Sequence, residues 1–277
     1  MIGLDGPDLA DYFARIGLPA APQPGVAGLG ALVRAHRLTI AFENLAIRQG
    51  RGIDLSLPAI VAKLVRGGRG GYCFEHNLLL SAALAALGVA HRPLLARVWL
   101  NLPADTVPPR THLFLAVEAD GEIWLADAGF GGGYAPPLLL GEHPPVVGPD
   151  GSLHRLRRIG APGSEQGEWL LERSADRGER WQPQYGFDTG HVAMADIECA
   201  NHWTATRPGT RFTSLHIASR ITPSGMISLV DRDWSELADG AMAHRRVESA
   251  SEWRRLIVDR LGLAMSETEV AALPLFA

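Results

Sequence analysis

Cysteine is nearly absent. The 277 residues hold two, Cys73 and Cys199. A pair cannot form a disulfide framework in a chain of this size, and such sparse use fits a reducing, cytoplasmic setting. CxxC, HExxH and related ligand spacings are missing too, so the ten histidines imply no metal site. No Walker or Rossmann fingerprint occurs. The longest apolar run, Leu78 to Ala90, is interrupted by Ser81 and Gly88, and it falls short of the ~20 residues that span a bilayer. The opening MIGLDGPDLADYF lacks the charged-then-apolar order of a signal peptide. Net charge is −4, and the arginines are scattered among acids with no basic arm. Neither nucleic acid nor a membrane is therefore expected as a partner. Internal repeats and low-complexity tracts are also lacking.

What is present is apolar residue, 47% of the chain, ample for a core divided among two or three domains. Residues 1–90 read mainly as helices. DLADYFARIG places Leu9, Tyr12, Phe13 and Ile16 at helical spacing and stops at Gly17. LGALVRAHRL behaves alike, and LPAIVAKLVRG carries a proline suited to the first helical turn. Residues 91–193 change to short strand-like runs: RPLLARVWL, HLFLAVEA, EIWLADA, LHRLRRI, EWLLERS and RWQPQY. That pattern predicts an antiparallel barrel or sandwich, with the proline-rich NLPADTVPPRT as an ordered surface loop. Residues 194–277 are mixed. HVAMADIECANHW reads as a helix that begins just before the boundary. RFTSLHIASRI and GMISLV read as strands. SASEWRRLIVDRLG reads as a final helix with Ser251 as N-cap and Gly262 as stop.

One stretch carries chemistry. In RGGYCFEHN, Cys73 follows a Gly-Gly turn and opens FEHNLLLSAALAAL, a helix apolar on nearly every face and ended by Gly88. Such a helix belongs in the centre of the molecule. Its first turn offers free N–H groups and the positive end of the helix dipole. A thiol there can have its pKa lowered to roughly 3.5–7.5, and the same N–H groups can hold an oxyanion. The rival reading is a small buried residue, the ordinary fate of a free cysteine. Cys199, beside Ile197 and Ala200, keeps that ordinary reading.

A hairpin adds a second constraint. Asp120-Gly121 is a two-residue turn signal between HLFLAVEA and EIWLADA. Ala119 then faces Glu122, Phe114 faces Asp127, and His112 faces Gly129. His112 and Asp127 become diagonal neighbours on one face, within reach of an imidazole–carboxylate hydrogen bond. A slip of one residue would part them. Cys73, His112 and Asp127 then form a nucleophile, base and orienting acid for acyl transfer through a thioester. A structural His–Asp pair is the alternative on the hairpin alone.

These residues resemble the arylamine N-acetyltransferases over nearly the whole chain. RGGYCFEHN matches the family's cysteine motif, Pro109 to His112 (PRTH) its histidine motif, and Leu125 to Gly132 (LADAGFGG) its aspartate motif. His112 follows Cys73 by 39 positions and Asp127 follows His112 by 15, as in the family. AFENL, PQYGF and RPGTRF resemble further family segments. Two departures stand out: Ala41 where the family usually has proline, and Thr210 where it usually has serine. The resemblance implies an α+β fold in three parts: a helical bundle carrying the cysteine, a β-barrel carrying His112 and Asp127, and a C-terminal α/β lid, with a cysteine-protease-like core. It implies acetyl-CoA as donor, no metal, and ping-pong acetylation of arylamines, hydrazines and arylhydroxylamines through acetyl-Cys73. Phe42, Phe130 and Phe212 are expected to wall the acceptor pocket. Thr111 and the loop Gly129-Phe130-Gly131 are expected to meet the donor, the loop with N–H groups able to face a phosphate. Arg69 and Glu75 are expected to brace the cysteine loop, and assembly into a homo-oligomer is left open. The rival activities are a Cys-His-Asp hydrolase and a macrocycle-forming amide synthase. A binding protein that kept the fold is a third reading, which an intact triad opposes.

Overall fold

The computed structural model describes residues 2–100, 102–103 and 106–276. Asn101, Ala104 and Asp105, part of the expected surface loop, lie outside the described residues. The chain opens with α1 (Gly6–Ile16), capped by the Asp5 carboxylate on the Asp8 N–H and ended by Gly17 at φ 72°. α2 (Val26–Thr39) leads into a two-residue strand β1 (Phe42–Glu43) and the short α3 (Leu45–Arg48). α4 (Leu57–Ile60) runs on into a π-helical stretch at Val61–Arg66. α5 (Cys73–Ala86) is buried at every residue from Cys73 to Leu84. Its all-round apolar sequence dictates that placement, since each buried leucine contributes roughly 1.5–3 kcal/mol. Gly88, at φ 71°, stops it.

The barrel sheet follows: β2 (His91–Val98), β3 (Arg110–Ala119), β4 (Glu122–Ala126), β5 (Leu138–Leu139), β6 (Val146–Val147), β7 (Leu153–Arg158), β8 (Trp169–Ser174) and β9 (Gln182–Phe187). These antiparallel strands are ordered β5-β4-β3-β2-β9-β8-β7-β6. Alternation along β3 splits its side chains between two cores. Leu113, Leu115 and Val117 pack with α5, while Phe114 and Ala116 point inward. That inner core also takes Leu138 from near one end of the sheet and Leu156 from near the other, so the sheet curls upon itself as a barrel.

The remainder comprises α6 (Met194–Thr206), α7 (Arg211–Ser214), β10 (Ile217–Thr222), β11 (Gly225–Val230), β12 (Asp233–Ala238), β13 (Ala241–Arg246), α8 (Ala250–Arg255) and α9 (Glu267–Ala271). Its sheet has the order β1-β10-β11-β12-β13. The N-terminal strand β1 is thus stitched to the C-terminal part, with Phe42 opposite Ser219 and Glu43 opposite Ala218. Ala218, Ile227, Leu229 and Trp234 share a core with Trp253, Ile257 and Leu261.

Several local expectations are corrected. RFTSLHIASRI is not one strand: Thr210 and Thr213 join hydroxyls at 3.0 Å around α7, and β10 starts only at Ile217. The last long helix is capped by Ser249, not Ser251, because the Ser249 hydroxyl accepts the Glu252 N–H at 3.2 Å. It continues as a π-helical stretch, Leu256–Arg260, before Gly262. Cys199 is exposed on α6, not buried. Among the described residues no helix is long and apolar enough to cross a membrane.

Candidate active site

The hairpin β3–β4 has the register its turn demands. Asp120 (φ 54°) and Gly121 (φ 79°) form the turn, and Ala119 faces Glu122. The ladder runs to Leu115 opposite Ala126 and stops there. Released from pairing, Asp127 meets the His112 ring, Oδ2 to Nε2 at 2.6 Å. The carboxylate is fully served: Oδ2 also accepts the Tyr185 hydroxyl at 3.1 Å, and Oδ1 accepts the Gly129 N–H at 2.8 Å and the Asn77 amide at 3.1 Å.

Cys73 sits at the start of α5, 3% exposed. Its thiol donates to the Thr111 carbonyl at 3.6 Å, which places the sulfur beside the residue preceding His112. Asn77, one helical turn on, spans the pieces: its amide donates to Cys73 O, Leu113 O and Asp127 Oδ1, and its oxygen accepts the Ala128 N–H. Burial opposes charge on His112, but the Asp127 carboxylate and the Cys73 sulfur outweigh it and raise its pKa to about 10. Burial likewise opposes charge on Asp127, yet His112, the Gly129 N–H and Asn77 lower its pKa to about 2. With Nε2 committed to Asp127, Nδ1 is the nitrogen left for Cys73.

The cysteine loop is braced by charge. Arg69 binds Glu43 at 2.8 Å, and Glu43 also accepts the Leu45 N–H. Lys63, the chain's one lysine, binds Glu75 at 2.7 Å, and Glu75 accepts the Tyr72 N–H at 3.1 Å. Gly70 and Gly71 are required by close approach, not by a left-handed turn. A Cβ on Gly70 would lie 2.1 Å from Ala41 O, and one on Gly71 would strike the Glu75 carboxyl.

The aromatic candidates fall into two groups. Phe42 contacts Phe212, and Phe212 meets Tyr72 edge-on. Phe130 instead stands edge-on to His112 at 5.2 Å. Gly131 links them, since a Cβ there would strike the Phe42 ring. Thr111 lines an open groove of about 460 Å³ with Arg110, His191 and Trp203. A smaller cleft of about 110 Å³ separates Gly132, Gly133 and Arg173 from Met226 and Met242 of the C-terminal sheet.

Within the glycine loop, the Gly129 N–H donates to the Asp127 carboxylate at 2.8 Å. Gly129 is there for contact: a Cβ would lie 2.7 Å from the Cys73 Cα. Sequence reasoning gave no role to three residues that build this site. Arg37, buried in α2, donates to the carbonyls of Ala128, Phe130 and Gly133. Asn77 and Tyr185 converge on Asp127. Asn77 did carry a signal, as a polar group in an otherwise apolar buried helix must have partners. Among the described residues no cluster of His, Cys, Asp and Glu is arranged to hold a metal.

Comparison with known proteins bears on this geometry. A family model described as N-acetyltransferase matches residues 26–270. The chain is 36% identical to an arylamine N-acetyltransferase of Mycolicibacterium smegmatis, over 94% of this chain and 93% of the relative. It is 34% identical to a protein of Salmonella typhimurium named arylamine N-acetyltransferase / N-hydroxyarylamine O-acetyltransferase, over 93% and 89%. A solved structure of the Mycobacterium marinum arylamine N-acetyltransferase in complex with CoA superposes with a TM-score of 0.87 at 30% identity, covering 96% of this chain and 98% of that one.

Proposed function

The chain belongs to the arylamine N-acetyltransferase family, a class of acyltransferase enzymes, and on that footing we propose that it moves acetyl groups in two half-reactions through Cys73. In the first, the Cys73 thiolate attacks the carbonyl carbon of acetyl-CoA. The carbon–sulfur bond to CoA breaks, and the departing CoA thiolate takes the proton held by His112. In the second, an arylamine or hydrazine attacks the Cys73 thioester. His112 removes the amine's proton as the Cys73 thiolate leaves, which restores the starting pair. N–H groups of the first turn of α5 stabilise the oxyanion in both steps. Asp127 stays ionised throughout and fixes the imidazole's orientation.

The observation that carries this reading is the 2.6 Å contact of His112 with Asp127 on a strand whose Thr111 carbonyl holds the Cys73 thiol. The CoA complex of the M. marinum relative supports CoA chemistry for the donor. The name of the S. typhimurium relative supports O-acetylation of N-hydroxyarylamines as a second reaction. We assign Phe42 and Phe212 to the acceptor wall and Phe130 to the boundary between acceptor and donor. Thr111 and Gly131 are assigned to the donor, and Gly129 serves it by letting the loop close on Cys73. An aromatic amine is weakly basic, so it reaches this apolar wall uncharged and nucleophilic.

The test is mass spectrometry after mixing with acetyl-CoA alone. One added acetyl group, mapped to Cys73, is expected, and Cys73→Ala should add none while staying folded. An acetyl group on another residue, or substantial amine turnover by clean Cys73→Ala, would overturn the assignment.

A further inference from the structure

Three polar side chains form a line that the acetyl-transfer steps do not use. Tyr12, His36 and His76 are each 0% exposed. The Tyr12 hydroxyl is 2.8 Å from His36 Nδ1, His36 Nε2 is 2.7 Å from His76 Nδ1, and His76 Nε2 is 3.1 Å from Ala41 O. The last link dictates all the others. A carbonyl only accepts, so His76 Nε2 carries the proton and His76 Nδ1 is a bare acceptor. His36 must then donate from Nε2 and accept at Nδ1, and Tyr12 must donate its hydroxyl proton. A further proton on His76 would set two N–H groups against each other. Burial already resists it, holding the His76 pKa at about 3.

The line therefore ties α1, α2 and α5 to one carbonyl, and that carbonyl is a junction. Ala41 O also accepts the Gly71 N–H at 3.3 Å, and the Glu43 N–H donates to Gly71 O at 2.7 Å. The His76 ring lies parallel to Phe42, 3° between planes and 6.4 Å between centroids. His76 stands one helical turn beyond Cys73, so one side chain touches both the wall strand and the helix of the nucleophile.

We propose that His76 is a positioning residue for the amine half-reaction: through Ala41 and Phe42 it sets the acceptor wall against Cys73, and Tyr12 and His36 hold it in the donating tautomer. This rests on the acetyl-transfer reading above. The first half-reaction needs Cys73, His112 and Asp127 but not the Phe42 wall, so the two halves separate the roles.

Two amide variants dissect the ring. A glutamine amide reaches the Nε2 position and keeps a donor on Ala41 O. An asparagine reaches only the Nδ1 position and loses it. His76→Asn should raise the amine KM about tenfold while CoA release from acetyl-CoA alone stays within about twofold. His76→Gln should hold the amine KM within about threefold of wild type. Tyr12→Phe, remote from the reacting groups, should raise the amine KM about threefold with the first half-reaction unchanged. An unchanged amine KM in His76→Asn, or equal slowing of both halves, overturns the inference. If His76→Asn fails to fold, Tyr12→Phe decides, and an unchanged amine KM there overturns it equally. A wild-type protein that releases no CoA from acetyl-CoA would instead remove the acetyl-transfer reading, and this inference with it.

Discussion

Replacing Asp127 by Asn keeps the side chain's shape and removes the charge its surroundings require. Two oxygens now accept four donors: the Gly129 N–H, the Asn77 amide, the His112 ring and the Tyr185 hydroxyl. An amide offers one oxygen, so two donors face an NH₂ group, and each buried donor left unpaired costs roughly 1–3 kcal/mol. Burial lowers the His112 pKa and the carboxylate is the largest influence that raises it, so without Asp127 the pKa falls, which disfavours the thiolate–imidazolium pair. Iodoacetamide alkylation of Cys73 against pH reads that pair. At neutral pH wild type should be alkylated faster than Asp127→Asn, which lacks the carboxylate that holds the imidazole's proton. CoA release in a single turnover should fall by more than about tenfold. A variant that keeps the wild-type alkylation profile and acetylates within tenfold of wild type would refute this account of the thiolate. Stability gives an independent sign. The raised His112 pKa contributes fully below pH 6.5 and fades as pH rises through about 10. The lowered Asp127 pKa contributes fully above pH 3.8 and fades as pH falls through about 2. The difference in urea midpoint between wild type and Asp127→Asn should therefore be widest between those two ordinary values.

Two further substitutions test the packing around the same site. Gly129→Ala drives a Cβ to within 2.7 Å of the Cys73 backbone, so calorimetry should show a loss of about 1–3 kcal/mol, and CoA release should drop sharply because the start of α5 must shift. A fully active, equally stable Gly129→Ala would mean that the loop does not bear on Cys73. Ala41→Pro restores the residue usual in the family. Ile40 already holds φ −95° and ψ 114°, the conformation a residue before proline adopts, so a gain of about 0.4–1 kcal/mol is expected from a stiffer unfolded chain. A lowered melting temperature would show that the backbone at Ala41 is incompatible with proline.

The parts of this site legible in the sequence were those governed by local rules. Asp120-Gly121 predicts a tight turn because both residues can take positive φ, and the turn alone brings His112 onto the face of Asp127. The same signal, Asp239-Gly240 at φ 50° and 79°, turns the β12–β13 hairpin, but there the second strand lacks an apolar pattern. β13, AMAHRR, is exposed at every residue and so carries no apolar alternation to mark it as a strand. Arg37 is illegible for a different reason: its partners are carbonyls at 128, 130 and 133, and no spacing within α2 points to a loop some ninety residues away. His76 combines both cases. Its burial follows from the apolar helix around it, but the need for His36 and Tyr12 appears only when three helices meet. The glycine loop shows what a local rule omits. A run of N–H groups does attract anions, yet the nearest anion is Asp127, and it takes the Gly129 donor for itself. A donor in a fold belongs to the closest acceptor that the chain brings to it.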